Sequence, residues 1–135
     1  MGETEAGLLA HARRVREKAY APYSRFRVGA ALEGADGSVY AGCNVENGSL
    51  GLTICAERSA VAAAVAAGQR EFARLALSTD GAEPVAPCGA CRQVLMEFAP
   101  DLTIESEAAG ATVRWTLSEL LPAPFQFDTT MPERA

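Results

Sequence analysis

Three cysteines and one glutamate have the types and spacing to do chemistry. Cys55 is followed two residues later by Glu57, and Cys88 and Cys91 lie in Pro87-Cys88-Gly89-Ala90-Cys91. Thiolate is the metal-binding form of cysteine, and the unpaired N–H groups and dipole at a helix start favour it. Both cysteine groups fall where helices are expected to begin. Two helix starts converging on one point make a soft-ligand site, and zinc is the default ion for sulfur ligands without evident redox chemistry. A structural zinc site takes four protein ligands, whereas a catalytic one takes three and keeps a position open. The only histidine, His11, lies on the first predicted helix, and Cys43 is the only other cysteine. Three thiolates plus a water therefore fit best. Glu57 stands at an offset that points away from Cys55 in a regular helix. At a helix start the first residue is off the helical path, so both can face one site. A carboxylate beside a metal-activated water can take its proton and pass it on.

These residues need elements to position them. Leu8, Ala12, Val15 and Ala19 recur at helical spacing, which predicts a helix over 4–20 stopped by Pro22. Phe26, Val28, Ala30 and Leu32 alternate with Arg25, Arg27, Gly29 and Ala31, the pattern of a half-buried strand. Gly34-Ala35-Asp36-Gly37 is a turn, and 38–44 reads as the returning strand of a hairpin. A loop follows over 47–51. The alanine-rich stretch 55–67 is helical, with Gly68 as its C′ residue. Residues 74–78 read as a short apolar strand, 79–87 as a loop, and 88–98 as a helix with Pro87 at its start. Two strands, 102–106 and 112–116, and a helical turn at 118–121 complete the chain. The order α-β-β-α-β-α-β-β-α argues for an α/β layered sheet.

At 135 residues with 49% hydrophobic and 21% charged residues, the chain is expected to form one domain with a real core. The expected domain is 1–135, with its core at about 5–127 and a short C-terminal tail. A net charge of −5 without a basic block argues against nucleic-acid binding. The basic residues Arg13, Arg14, Arg16 and Lys18 read as a solvated helix face. No apolar run approaches the roughly 20 residues of a membrane helix. The acidic start MGETEAG lacks signal-peptide order, and Ala6 breaks a myristoylation motif, so the expected location is the cytoplasm.

Cys-Ala-Glu followed by Pro-Cys-x-x-Cys matches a zinc deaminase signature with Cys in place of His. Further segments agree: 21–32 (APYSRFRVGAAL), Gly42-Cys43-Asn44-Val45-Glu46-Asn47, Cys55-Ala56-Glu57-Arg58, Pro87-Cys88-Gly89-Ala90-Cys91-Arg92-Gln93 and Leu120-Leu121-Pro122. Over about residues 5–127 the chain resembles the small, homotetrameric type of the cytidine deaminase family. The resemblance implies a three-layer α/β/α sandwich with a mixed, about five-stranded sheet. It implies zinc-dependent hydrolysis of cytidine and deoxycytidine to uridine and deoxyuridine with loss of ammonia, in pyrimidine salvage. Cys55, Cys88 and Cys91 would bind one Zn2+ per subunit, and Glu57 would shuttle protons. Asn44 and Glu46 match ribose ligands, Phe26 an aromatic beside the nucleoside, and Ala56 a backbone donor to the base carbonyl. Phe125 matches an aromatic that reaches a neighbouring subunit's site, so active sites are expected at the junctions of a homotetramer. Arg58 matches an arginine hydrogen-bonded to the zinc sulfurs, whose charge would offset the excess of thiolate. Leu50 departs from the pattern, standing where the family usually has a tyrosine near the subunit junction.

Bland readings stand beside these. Cys43 is read as a small buried residue, His11 as a surface or helix-packing residue, Trp115 as core, and Arg92 as pairing locally or capping structure. Two rivals stay open. A deaminase of another aminated pyrimidine nucleoside would show itself on a substrate panel. A non-catalytic zinc-stabilised binding protein predicts a closed metal sphere and indifference to Glu57→Ala.

Overall fold

A computed structural model describes residues 2–127, with side chains described from residue 7 onward. Met1 and residues 128–135 of the expected domain lie outside the described residues. The elements are α1 (Gly2–Arg16), β1 (Val28–Gly34), β2 (Val39–Cys43), a 3₁₀ turn (Leu50–Leu52), α2 (Ala56–Ala66), β3 (Phe72–Thr79), α3 (Gly89–Phe98), β4 (Thr103–Ala108), β5 (Ala111–Thr116) and α4 (Leu117–Leu120). The strands form one mixed five-stranded sheet in the order β2-β1-β3-β4-β5. Only β3 and β4 pair in parallel, because α3 carries the chain back between them as a crossover.

The sheet is covered on both faces. On one, Leu8 and Ala12 of α1 bury against Ala31 and Ala76. On the other, Ala60 and Ala64 of α2 and Leu95 and Met96 of α3 pack on Ala30, Leu32, Leu75, Leu77 and Ile104. The expected α/β/α layering is thus present, and Trp115 packs against the second cluster as expected. No helix among the described residues is long and apolar enough to cross a membrane.

Three details differ from the sequence reading. β1 is buried on both faces rather than one. Its alternate positions are Gly29 and Ala31, whose small size lets α1 lie directly on the strand. The helix expected over 4–20 ends at Arg16. The N–H groups of Lys18 and Ala19 turn to carbonyls three residues back, at 2.9 and 3.1 Å. Tyr20 is then captured by the segment after β2, its N–H donating to Asn44 O at 3.0 Å. The basic face of α1 is also less free than expected. Arg13 makes a two-pronged ion pair with Glu107 at 2.8 and 2.7 Å, and Arg16 donates to Ser78 Oγ at 3.1 Å and Thr79 O at 3.2 Å.

Helix α2 is ended as its sequence predicts. Gly68 takes φ 91°, and the N–H groups of Gly68 and Gln69 return to Val65 O and Ala64 O, each at 2.9 Å, a left-handed closure that suits glycine. At its other end α2 rests on bare backbone. A Cβ at Gly42 would stand 2.7 Å from Ala56 O and 2.9 Å from the Ser59 carbonyl carbon.

Candidate active site

The register of the sheet gathers the chemistry-bearing residues. Gly29 pairs with Cys43 on one side and Ser78 on the other, and Val28 pairs with Thr79. The start of β1 and the ends of β2 and β3 therefore lie at the same end of the sheet. Phe26 precedes β1, Asn44 and Glu46 follow β2, and the loop after β3 leads to Cys88. An isolated antiparallel bridge, Val45 to Ile54, returns the chain from β2 to Cys55. Both helix starts converge here, as in other α/β sheets whose ligands sit beyond strand ends.

Cys55 is the N-cap of α2 and Cys88 the N-cap of α3, both in extended backbone, and neither sulfur caps its own helix. The sulfurs are left for each other. The Sγ atoms of Cys55, Cys88 and Cys91 all lie within 4.8 Å of one another, and no other such group of three ligand residues occurs among the described residues. All are free thiols, with Cys88 and Cys91 at 3.5 Å. Tetrahedral Zn–S bonds of about 2.3 Å place sulfurs about 3.8 Å apart, so this donor set fits a zinc ion with small adjustment. The thiols already divide a charge. A hydrogen bond from Cys91, opposed by burial and helped by Arg58, brings Cys55 down to about 5, while that same bond and burial push Cys91 upward. A dication would replace the shared proton. Arg58 stands behind Cys55, its Nη2 3.7 Å from the Sγ and 3.3 Å from Thr53 O. Its Nε is buried without a partner.

Glu57, in the first turn of α2, is only 6% exposed. Burial, reinforced by the Cys55 charge, pushes its carboxyl up to about 7. It shares a cavity of about 340 Å³ with Cys55, Ala56 and Cys88 at one end and Phe26, Asn44 and Glu46 at the other. That volume falls at the small end of the range for small-molecule sites. The fully buried Ala56 is the first residue of α2, where backbone N–H groups have no partner within the helix.

At the far end, Asn44 is buried and spans the start of β1. Its Oδ1 accepts from Val28 N–H at 2.9 Å and its Nδ2 donates to Phe26 O at 2.8 Å. Glu46 accepts from the N–H groups of Tyr23 and Ser24 at 3.0 and 3.1 Å and from the Ser24 hydroxyl. The ring of Phe26 has room because residue 81 is glycine. A Cβ there would stand 2.9 Å from Phe26 Cε1.

Phe125 is not brought to this cavity. It is 73% exposed beside α3, with Gln93 Nε2 donating to its carbonyl at 2.9 Å. Cys43 stays outside the cluster, and burial pushes its thiol up. His11 sits on the surface, its Nδ1 3.0 Å from Arg14. Arg92 caps structure, donating to Pro87 O at 2.7 Å nearby and to Leu120 O, far along the chain, at 2.9 Å. The cavity also takes Ser24, Val85 and Ala86, which sequence reasoning missed. The signals were small: a serine two residues before Phe26, and two small apolar residues before Pro87.

Comparison with known proteins agrees with this geometry. The family model described as the cytidine and deoxycytidylate deaminase zinc-binding region matches residues 3–105. A cytidine deaminase of Sporosarcina psychrophila is 46% identical over 120 residues, covering 87% of this chain and 88% of that protein. One of Halalkalibacterium halodurans is 49% identical over 120 residues, covering 87% and 91%. The crystal structure of cytidine deaminase from Burkholderia pseudomallei superposes with a TM-score of 0.86 at 49% identity, covering 89% of this chain and 98% of that one. With three thiols set for zinc and a buried carboxyl beside them, the chain belongs to the cytidine and deoxycytidylate deaminase family defined by that zinc-binding region.

Proposed function

We propose that this protein hydrolyses cytidine and deoxycytidine to uridine and deoxyuridine, releasing ammonia, as a step in pyrimidine salvage. The observation that carries the reading is a buried carboxyl, Glu57, in one cavity with Cys55 and Cys88 of the three-thiol cluster. Cys55, Cys88 and Cys91 would hold one zinc ion per subunit. When bound, zinc supplies Lewis-acid activation of water at neutral pH.

The remaining work falls to the chain. Glu57 accepts a proton from the attacking water as its oxygen bonds to C4, and delivers that proton to N3 of the ring. It then carries the second water proton to the exocyclic nitrogen, so that the C4–N bond breaks and ammonia leaves. A group poised near neutrality can both take and give the proton. The Ala56 N–H holds the base carbonyl, Phe26 packs beside the nucleoside, and Asn44 and Glu46 take the sugar hydroxyls. Asn44 has capacity for this, since one Nδ2 hydrogen and one Oδ1 lone pair remain beyond its bonds to Val28 and Phe26. Arg58 positions Cys55 and offsets the extra negative charge of three thiolates around a dication.

The chain would act as one domain over residues 1–135, in the cytoplasm, as a homotetramer. Exposed apolar side chains support the assembly. Leu50 is 75% exposed beside exposed Leu52 and Ile54, and Phe125 and Phe127 are exposed and do not line the cavity. Phe125 would enter a neighbour's site, and Leu50 would make an apolar contact without a tyrosine hydroxyl.

The test follows loss of cytidine and deoxycytidine by ultraviolet absorbance, with zinc-loaded protein and a Glu57→Ala control. Turnover that vanishes in the control while zinc is retained supports the reading. Folded, zinc-loaded protein that converts neither nucleoside overturns it.

A further inference from the structure

The loop between α1 and β1 builds a small cradle. The Arg25 N–H donates to Ala21 O at 3.0 Å, closing the loop, and Arg25 itself takes φ 59°. This turn aims the successive N–H groups of Tyr23 and Ser24 at a single oxygen, Glu46 Oε1, at 3.0 and 3.1 Å, an arrangement suited to an anion. The Ser24 hydroxyl donates to the other oxygen, Oε2, and accepts from Phe26 N–H at 3.0 Å.

Counting lone pairs turns this geometry into a constraint. An ionised carboxylate offers about four acceptor sites. Two on Oε1 and one on Oε2 are filled from within the chain. The vacant one is on Oε2, the oxygen that Ser24 holds, and both residues line the cavity. The single Ser24 proton is committed to Glu46, so Ser24 cannot donate to a ligand.

We infer that Ser24 is a positioning residue that acts through Glu46, leaving the carboxylate able to accept one hydroxyl of a nucleoside sugar and fixing its direction. This rests on the nucleoside substrate proposed above. Ser24 also ties that carboxylate to the backbone of Phe26, so the polar and aromatic walls of the sugar subsite move as one piece.

The experiment measures kcat and KM for zinc-loaded wild type, Ser24→Ala and Ser24→Thr on cytidine, deoxycytidine and 2′,3′-dideoxycytidine, with zinc content and thermal midpoint recorded. Loss of a hydrogen bond to a charged group should raise KM about tenfold on the hydroxylated sugars, with kcat within about twofold. On the dideoxy analogue, which has no ring hydroxyl to offer, KM should stay within about twofold. Ser24→Thr should restore wild-type behaviour. Adding Ser24→Ala to Glu46→Gln should cost nothing further. An equal KM rise on the dideoxy analogue, or no change on cytidine, overturns the inference. If Ser24→Ala does not fold, Ser24→Cys keeps the size with a weaker donor, and the same two-substrate comparison decides. Wild-type protein inactive on all three nucleosides would instead remove the functional reading itself, before any variant is compared.

Discussion

The two ends of the cavity are built by different means. At the thiol end, each group sits on or beside the first turn of a helix whose body is buried in the core: Ala60 and Ala64 anchor α2, and Leu95 and Met96 anchor α3. At the Glu46 end, the groups sit on chain that belongs to no strand or helix. They are held by side-chain bonds to backbone, Asn44 across β1 and Glu46 on the Tyr23–Ser24 turn. Groups that must keep one geometry while bonds break are set on rigid elements, whereas a subsite that admits and releases a ligand is set on loops.

Substitutions at the thiol end should cost the most. Glu57→Gln should lower kcat by about a thousandfold with KM little changed and zinc retained, by absorbance assay and metal analysis. A loss within about tenfold would place the proton transfer elsewhere. Cys88→Ser and Cys91→Ser should each weaken zinc binding by more than about a hundredfold, beyond the cost of losing a ligand's hydrogen-bonded neighbour, in a chelator competition. Cys91→Ser should also lower the thermal midpoint more, since Cys91 is buried and Cys88 exposed.

The ends should also answer pH differently in metal-free protein. Glu57 keeps its proton up to about 7 in the fold, against an ordinary 4.5. Between those values the folded state binds more protons than the unfolded state, so its stability falls as pH rises. Metal-free Glu57→Gln should therefore gain about 3 kcal/mol on wild type at pH 8 and little at pH 4, measured by denaturant titration. Glu46, held low first by the Ser24 hydroxyl and then by backbone N–H groups, should add no such slope in that window. Arg58→Gln should have the smallest effect, about a tenfold loss of zinc affinity. Unchanged affinity and turnover would leave its guanidinium without a role at the sulfurs.

The same division explains what the sequence made legible. Cysteines at two helix starts, alanines at helical spacing, Pro87 and Gly68 are local signals, and each element they announce is present within a few residues. The helical spacing of Val15 and Ala19 ran past Arg16 because nothing local reveals that Tyr20 bonds to Asn44. Alternation made β1 look half-buried because Gly29 and Ala31 are small, and small residues do not say whether a helix lies on them. Ser24 escaped notice for the same reason as the cradle around Glu46. Its importance comes from partners more than twenty residues away, which no spacing rule reaches.

Gly42 has a consequence for reshaping the protein. The first turn of α2, with Cys55, Glu57 and Arg58, lies against the bare backbone of β2 at this glycine, and Asn44 follows two residues later. The span from the thiol end to the Glu46 end is therefore gauged by the thickness of one strand in contact with one helix. Trimming the residues that face the cavity would widen it locally and leave that span unchanged. A version for longer or bulkier ligands has to begin underneath, at position 42, where each added atom would push the first turn of α2, with Cys55 and Glu57, away from the strand that leads to Asn44.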